Sequence, residues 1–171
     1  MLFRSVPADV SSAAFFMVGA TIAPDSDVML LDVGINPTRT GVIEILRLMG
    51  ADLTILNPRE LGGEPVADVR VRSADLRGID IPSELVPLAI DEFPALFVAA
   101  ANARGRTVLR GAEELRVKES DRIQVMADGL AAIGARAEAT ADGMIIDGAA
   151  YTGGVVESHG DRKSTRLNSS H

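Results

Sequence analysis

Cysteine and tryptophan are both absent from this chain, and histidine occurs only 2 times in 171 residues. Without Cys there is no disulfide and no thiolate ligand, and two His residues offer little for a zinc site, so neither a metal nor another cofactor is expected. Aromatic residues make up 4% of the chain and the formal net charge is −7, which removes the stacking surface and basic footprint of a nucleic-acid binder. No run reaches the roughly 18 consecutive apolar residues of a membrane-spanning helix. The stretch from Met1 to Pro7 lacks the basic start and long apolar core of a secretory leader. The expectation is a cytoplasmic protein with no membrane or nucleic-acid partner. What remains is an ordinary globular composition, 47% hydrophobic and 24% charged, long enough to bury most of its apolar surface.

The apolar pattern alternates between helical and strand periods. Asp9 stands as a cap before Ser11, Ser12 and the apolar run Ala13 to Ala20, which reads as a helix packed on most sides. A strand is expected over Val28 to Val33. Val42, Ile45, Leu46 and Met49 form a helical stripe closed by Gly50, and strands follow over Leu53 to Leu56 and Val66 to Val71. The same order then recurs. Asp91-Glu92-Phe93-Pro94 opens an Ala-rich helix, Thr107 to Leu109 is a strand, Ser120 to Ile133 is a helix closed by Gly134, and Arg136 to Ala139 and Met144 to Ile146 are strands.

Met49-Gly50-Ala51 and Ile133-Gly134-Ala135 occupy equivalent places roughly 80 residues apart, the mark of an internal repeat. Each unit reads helix, strand, helix, strand, strand, and a leading strand is expected before each: at the chain start, and near Gly78-Ile79. Two such units make an α/β body with buried helices. A third is expected to begin near Gly153-Gly154-Val155-Val156. The body thus spans residues 1–161, and 162–171, with no apolar periodicity, reads as a non-native tail.

The densest chemistry lies in Leu115-Arg116-Val117-Lys118-Glu119-Ser120-Asp121-Arg122, at the mouth of a helix whose buried stripe is Ile123, Met126, Leu130 and Ile133. One reading is a charge-balanced helix start, with Ser120 near the cap and Glu119 paired to Arg122. The other is an anion clamp, in which Arg122 offers a planar fork to a carboxylate, Lys118 supplies a charge or a proton, and Glu119 stands beside it as acid or base. Asp91 is open in the same way. It reads either as a cap of the Ala-rich helix or as a general base whose pKa a buried cleft raises. Arg39, in Asn36-Pro37-Thr38-Arg39-Thr40-Gly41, is a further cation at a helix entry, where turn chemistry explains most of the segment. Ser158-His159-Gly160-Asp161 holds a Ser, a His and an Asp too close in sequence to make a catalytic triad.

Asp91-Glu92-Phe93-Pro94, the Leu115 to Arg122 octet and Ser158-His159-Gly160-Asp161, in this order, resemble 5-enolpyruvylshikimate-3-phosphate synthases. Asp9-Val10-Ser11-Ser12-Ala13 and Asn36 to Gly41 are similar to segments of the glyphosate-tolerant class of that family. The resemblance implies repeated βαβαββ units with buried helices, the inside-out α/β barrel of the enolpyruvyl transferases, here incomplete. It implies transfer of the enolpyruvyl group of phosphoenolpyruvate to the 5-hydroxyl of shikimate 3-phosphate, with release of phosphate, by a parent enzyme that is a monomer.

On this resemblance Asp91 and Lys118 stand near the reacting hydroxyl, and Glu119 near the methylene carbon that becomes a methyl group. Arg122 holds the phosphoenolpyruvate carboxylate, and Glu114 contacts shikimate 3-phosphate. The family's continuation after Ser158-His159 departs here, since Arg162-Lys163-Ser164 follows Asp161. Clamp residues expected before residue 1 and after residue 161 are missing, so the chain alone is expected to be inactive. The alternatives are a relative of the UDP-N-acetylglucosamine enolpyruvyl transferases, against which the absence of Cys argues, and a non-catalytic α/β module.

Overall fold

The computed structural model describes residues 6–118, 120–148 and 155–156. Its elements are α1 (Val10–Ile22), β1 (Asp27–Gly34), α2 (Gly41–Leu48), β2 (Asp52–Leu61) and β3 (Glu64–Arg72), then α3 (Phe93–Asn102), β4 (Gly105–Leu109), α4 (Arg122–Ala132), β5 (Arg136–Ala139) and β6 (Met144–Gly148). The order helix, strand, helix, strand, strand therefore occurs twice. Each unit carries a three-stranded antiparallel sheet with its last strand in the middle, β1-β3-β2 in one and β4-β6-β5 in the other.

Helix ends show why the two units share a sequence pattern. Gly50 (φ 97°) and Gly134 (φ 88°) both lie in the left-handed region that favours glycine. At each, paired amides turn back onto the last helical carbonyls: Gly50 to Arg47 and Ala51 to Leu46, Gly134 to Ala131 and Ala135 to Leu130, all at 2.9 Å. That is a Schellman ending at both sites, which satisfies carbonyls otherwise left open at a helix terminus. The leading strands are slighter than the sequence pattern implies. Ala8 bridges Val33, and Arg77 and Asp80 bridge Arg104 and Val108, all in parallel but as isolated pairs. At Gly78 a Cβ would meet the backbone of Arg106 at 2.3 Å, so glycine permits this approach.

The helices fill the space between the sheets. Phe93 to Phe97 and Ala99 to Ala101 of α3 are buried, and α1 packs Val10, Ala13, Ala14, Met17 and Val18 into the same core. Phe16 is an exception on α1, 64% exposed. β3 turns its valines inward and Arg70 and Arg72 outward, where they pair with Asp27 at 2.5 Å and Asp52 at 2.9 Å on the flanking strands. Both flanking strands break register beside Asp68, between Leu30 and Val33 and between Leu56 and Arg59. Asp32 (φ 54°) and Asn57 (φ 48°) absorb the extra residue, and Asp68 accepts from the Asp32 amide, the Asn57 side chain and Arg59.

Two expectations shift. β2 runs to Leu61, well past Leu56, because Gly62 and Gly63 turn it directly into β3. α4 begins at Arg122 rather than Ser120. The expected third unit and the tail lie outside the described residues, apart from Val155 and Val156. Among the described residues, no helix is long and apolar enough to cross a membrane.

Candidate active site

Asp91 is delivered to the mouth of α3 by two short 3-10 turns, Ser83–Leu85 and Pro87–Ala89. It does not cap the helix. The cap position is Glu92, without a side-chain capping bond, and Pro94 occupies the first turn, where a missing N–H leaves no bond unmade. Glu92 is 5% exposed and accepts a hydrogen bond from the Ser11 hydroxyl, joining the starts of α1 and α3. With the capping role unused, the Asp91 carboxylate faces the second cluster.

That cluster comes from the stretch between β4 and α4. Glu113–Val117 is a 3-10 turn, Lys118 is extended, and α4 is capped by Asp121, whose carboxylate accepts from the Gln124 amide at 3.0 Å. The cap is thus Asp121, with Ser120 beside it. Lys118 and Arg122 converge, but not as neighbours on a helix face, since Lys118 precedes the helix. Both point at one oxygen, Asp91 Oδ1, with Arg122 Nη1 at 3.3 Å and Lys118 Nζ at 3.9 Å. Lys118 also donates to Glu114 across the 3-10 turn.

Exposure separates the members. Arg122 is 3% exposed, whereas the Asp91, Lys118 and Glu114 side chains are 36%, 24% and 57% exposed. A buried guanidinium needs a partner, and Asp91 provides it. The arrangement presents a carboxylate and an ammonium to solvent above a fixed cation, which suits a group that must exchange a proton beside an anion. The structure brings Asp91, Glu114, Lys118 and Arg122 together. Glu119 and its expected pairing with Arg122, and the Ser158 to Asp161 segment, lie outside the described residues.

The α1 entrance is a second polar region. Asp9 caps α1 through the Ser12 amide at 2.9 Å and the Ser12 hydroxyl at 3.0 Å. Burial pushes its carboxyl pKa up, but the Ser12 and Ser11 hydrogen bonds and the Arg39 charge outweigh that and leave it lowered. An open cavity of about 340 Å³ lies here, lined by Asp9, Asn36, Arg39 and Glu64 among others. Among the described residues no group of three or more His, Cys, Asp or Glu is placed to hold a metal. Sequence reasoning missed Glu92 as an acceptor for Ser11, and it missed Arg116. The one signal for Glu92 was a charged residue beside an otherwise apolar helix.

The fold is thus a repeated α/β unit with buried helices, and acidic and basic side chains gather at its helix mouths. The family model for EPSP synthase (3-phosphoshikimate 1-carboxyvinyltransferase) matches residues 3–165, and the chain belongs to that family. The 3-phosphoshikimate 1-carboxyvinyltransferase of Methylococcus capsulatus is 70% identical over 158 residues, and that of Acidithiobacillus ferrooxidans 68%. Each match covers 92% of this chain but 36% of the relative, so the chain spans little more than a third of their length. A solved EPSP synthase from Acinetobacter baumannii, 61% identical, superposes with a TM-score of 0.91 over 93% of this chain and 38% of its own.

Proposed function

We propose that this chain, through residues 1–161, forms part of an enzyme that transfers the enolpyruvyl group of phosphoenolpyruvate to the 5-hydroxyl of shikimate 3-phosphate. The observation that carries the reading is the convergence of Lys118 and Arg122 on Asp91 Oδ1 in a chain of this family. Asp91 orients or deprotonates the hydroxyl as its oxygen attacks the enol carbon, and Lys118 offsets charge at that hydroxyl and at the bridging oxygen. A proton reaches the methylene carbon, with Glu119 in the proton-transfer role, and gives a tetrahedral intermediate bearing a methyl group. Loss of phosphate and of one methyl proton restores the enol ether. Arg122 contributes its charge to the phosphoenolpyruvate carboxylate, and Glu114 contacts shikimate 3-phosphate while pairing with Lys118 between turnovers.

The test replaces the matching segment of the Methylococcus capsulatus enzyme with this chain. The chimera is expected to release inorganic phosphate only when both substrates are present, and Lys118→Ala to lower that rate by about 100-fold. An inactive chimera, or one indifferent to Lys118→Ala, would refute the reading. The chain by itself is expected to release no phosphate, because it spans only 36% of such an enzyme.

A further inference from the structure

The stretch that carries Lys118 is not held by burial. Leu115 and Ile123 are fully buried at its two ends, but Val117 between them is 80% exposed, so polar contacts must fix the backbone there. Arg116 supplies them. Its Nε donates to the Ala141 carbonyl at 2.9 Å, Nη2 donates to the Thr140 carbonyl, and Nη1 donates to Asp121 at 2.5 Å. The same Asp121 carboxylate caps α4. One planar guanidinium thus ties the 3-10 turn, the start of α4 and the turn between β5 and β6 into a single junction, which a flexible ammonium does not reproduce.

The β5–β6 turn grips the other end of the stretch as well. The Asp142 carboxylate accepts from the Gly111 amide at 2.9 Å and the Asp142 carbonyl accepts from the Ala112 amide at 2.7 Å. Gly143 lets this turn sit against β4, since a Cβ there would lie 2.1 Å from the Leu109 carbonyl oxygen. The hairpin turn therefore holds the stretch at Gly111, Ala112 and Arg116, all ahead of the exposed Val117, and Arg116 carries that hold across to Asp121 on the far side; short tethers of this kind decide where a side chain near the clamp points.

We infer that Arg116 is a positioning residue for Lys118: braced on the β5–β6 turn, it sets where the Lys118 ammonium meets Asp91. This rests on the function proposed above. Two measurements test it. In the chain itself, Arg116→Met is expected to speed hydrogen exchange at the Val117, Lys118 and Ser120 amides by about tenfold while β4 and β6 amides keep their rates. In the active chimera, Arg116→Lys and Arg116→Met are expected to lower kcat by about 10- to 100-fold with KM for both substrates within about threefold, since misplacement by about 1 Å is enough for such a loss. In a Lys118→Ala background, Arg116→Met is expected to lower the residual rate by less than about threefold, whereas a merely structural role would multiply through. An Arg116→Met chimera that keeps kcat within threefold overturns the inference and leaves the function standing. An inactive unsubstituted chimera refutes the function instead, and exchange at Val117 to Ser120 that does not change then overturns the positioning role independently.

Discussion

Replacing Asp91 by Asn tests whether the site's buried cation depends on its carboxylate partner. Two unit charges 3.3 Å apart attract by about 5 kcal/mol at an effective dielectric of about 20. Asp91 is 36% exposed, so solvent screens part of this, and the Asn side chain keeps a carbonyl oxygen to face the guanidinium. Because Arg122 is 3% exposed, water cannot fully replace the lost charge, and about 2 kcal/mol of destabilisation is left. For a domain of this size, with a urea slope of about 2 kcal/mol per M, the unfolding midpoint of the chain moves down by about 1 M. The assay is urea unfolding of wild type, Asp91→Asn, Arg122→Met and the double variant, followed by circular dichroism. The pair's coupling is expected at about 1.5 to 2.5 kcal/mol, with the double variant less harmed than the two singles predict. A coupling below about 0.5 kcal/mol would refute the idea that Asp91 holds Arg122, and would return Asp91 to an ordinary surface carboxylate.

Three further outcomes are expected from the packing and the caps. Gly41→Ala should destabilise by about 1 to 3 kcal/mol in thermal or urea unfolding, because the new Cβ would sit 2.7 Å from the Leu88 carbonyl carbon and 2.9 Å from the Ala89 amide nitrogen, both backbone; an unchanged midpoint would contradict that close approach. Arg59, then Asn57 and the Asp32 amide, hold the Asp68 carboxyl well below the usual carboxylate range. With a depressed folded pKa, its contribution is present above the unfolded value of about 4 and is lost as pH falls through the folded one, so Asp68→Asn should flatten the acid limb of stability against pH; parallel acid limbs would show that Asp68 does not carry it. Asp121→Ala should cost about 1 kcal/mol as a lost cap, and Asp9→Ala a similar amount, but Asp121→Ala alone should also loosen the Arg116 junction and speed exchange at Lys118.

Elements with a strong period and an unambiguous terminator were legible in the sequence. The Ala-rich helix, the Gly50 and Gly134 endings and the doubled order of elements all follow from apolar spacing plus a residue able to take positive φ. The leading strands were faint because each amounts to isolated bridges, and a single pair leaves no alternation to detect. The family resemblance, rather than composition or spacing, gathered Asp91, Glu114, Lys118 and Arg122, and the local sequence could not tell whether Asp91 caps the Ala-rich helix. That depended on Glu92 taking the cap position, a choice made by the turns before α3 rather than by propensity. Arg116 was hidden for a different reason. Beside Asp121, its partners are the backbone carbonyls of Thr140 and Ala141, some 24 residues on, and a carbonyl acceptor has no residue type to recognise.

The duplicated unit explains where such a site can form. Equivalent helices in the two units begin at linked points: Ser11 of α1 bonds Glu92 at the start of α3, Asp91 pairs with Arg122 at the start of α4, and Gly41 of α2 abuts Leu88 in the turn leading to Asp91. Each helix start carries amides with no acceptor inside the helix, some of them met by caps, and the positive end of a dipole, so a cluster of starts favours anions even in a chain of net charge −7. The two units contribute unequally to it. Ahead of α2 the first unit has only Arg39, which acts on the Asp9 carboxyl, whereas ahead of α4 the second unit has Glu114 and Lys118, with Arg122 opening the helix. The repeat therefore accounts for a shared edge of helix starts, and the divergence of one unit within it accounts for the Glu114, Lys118 and Arg122 set to which the proposed function assigns the chemistry.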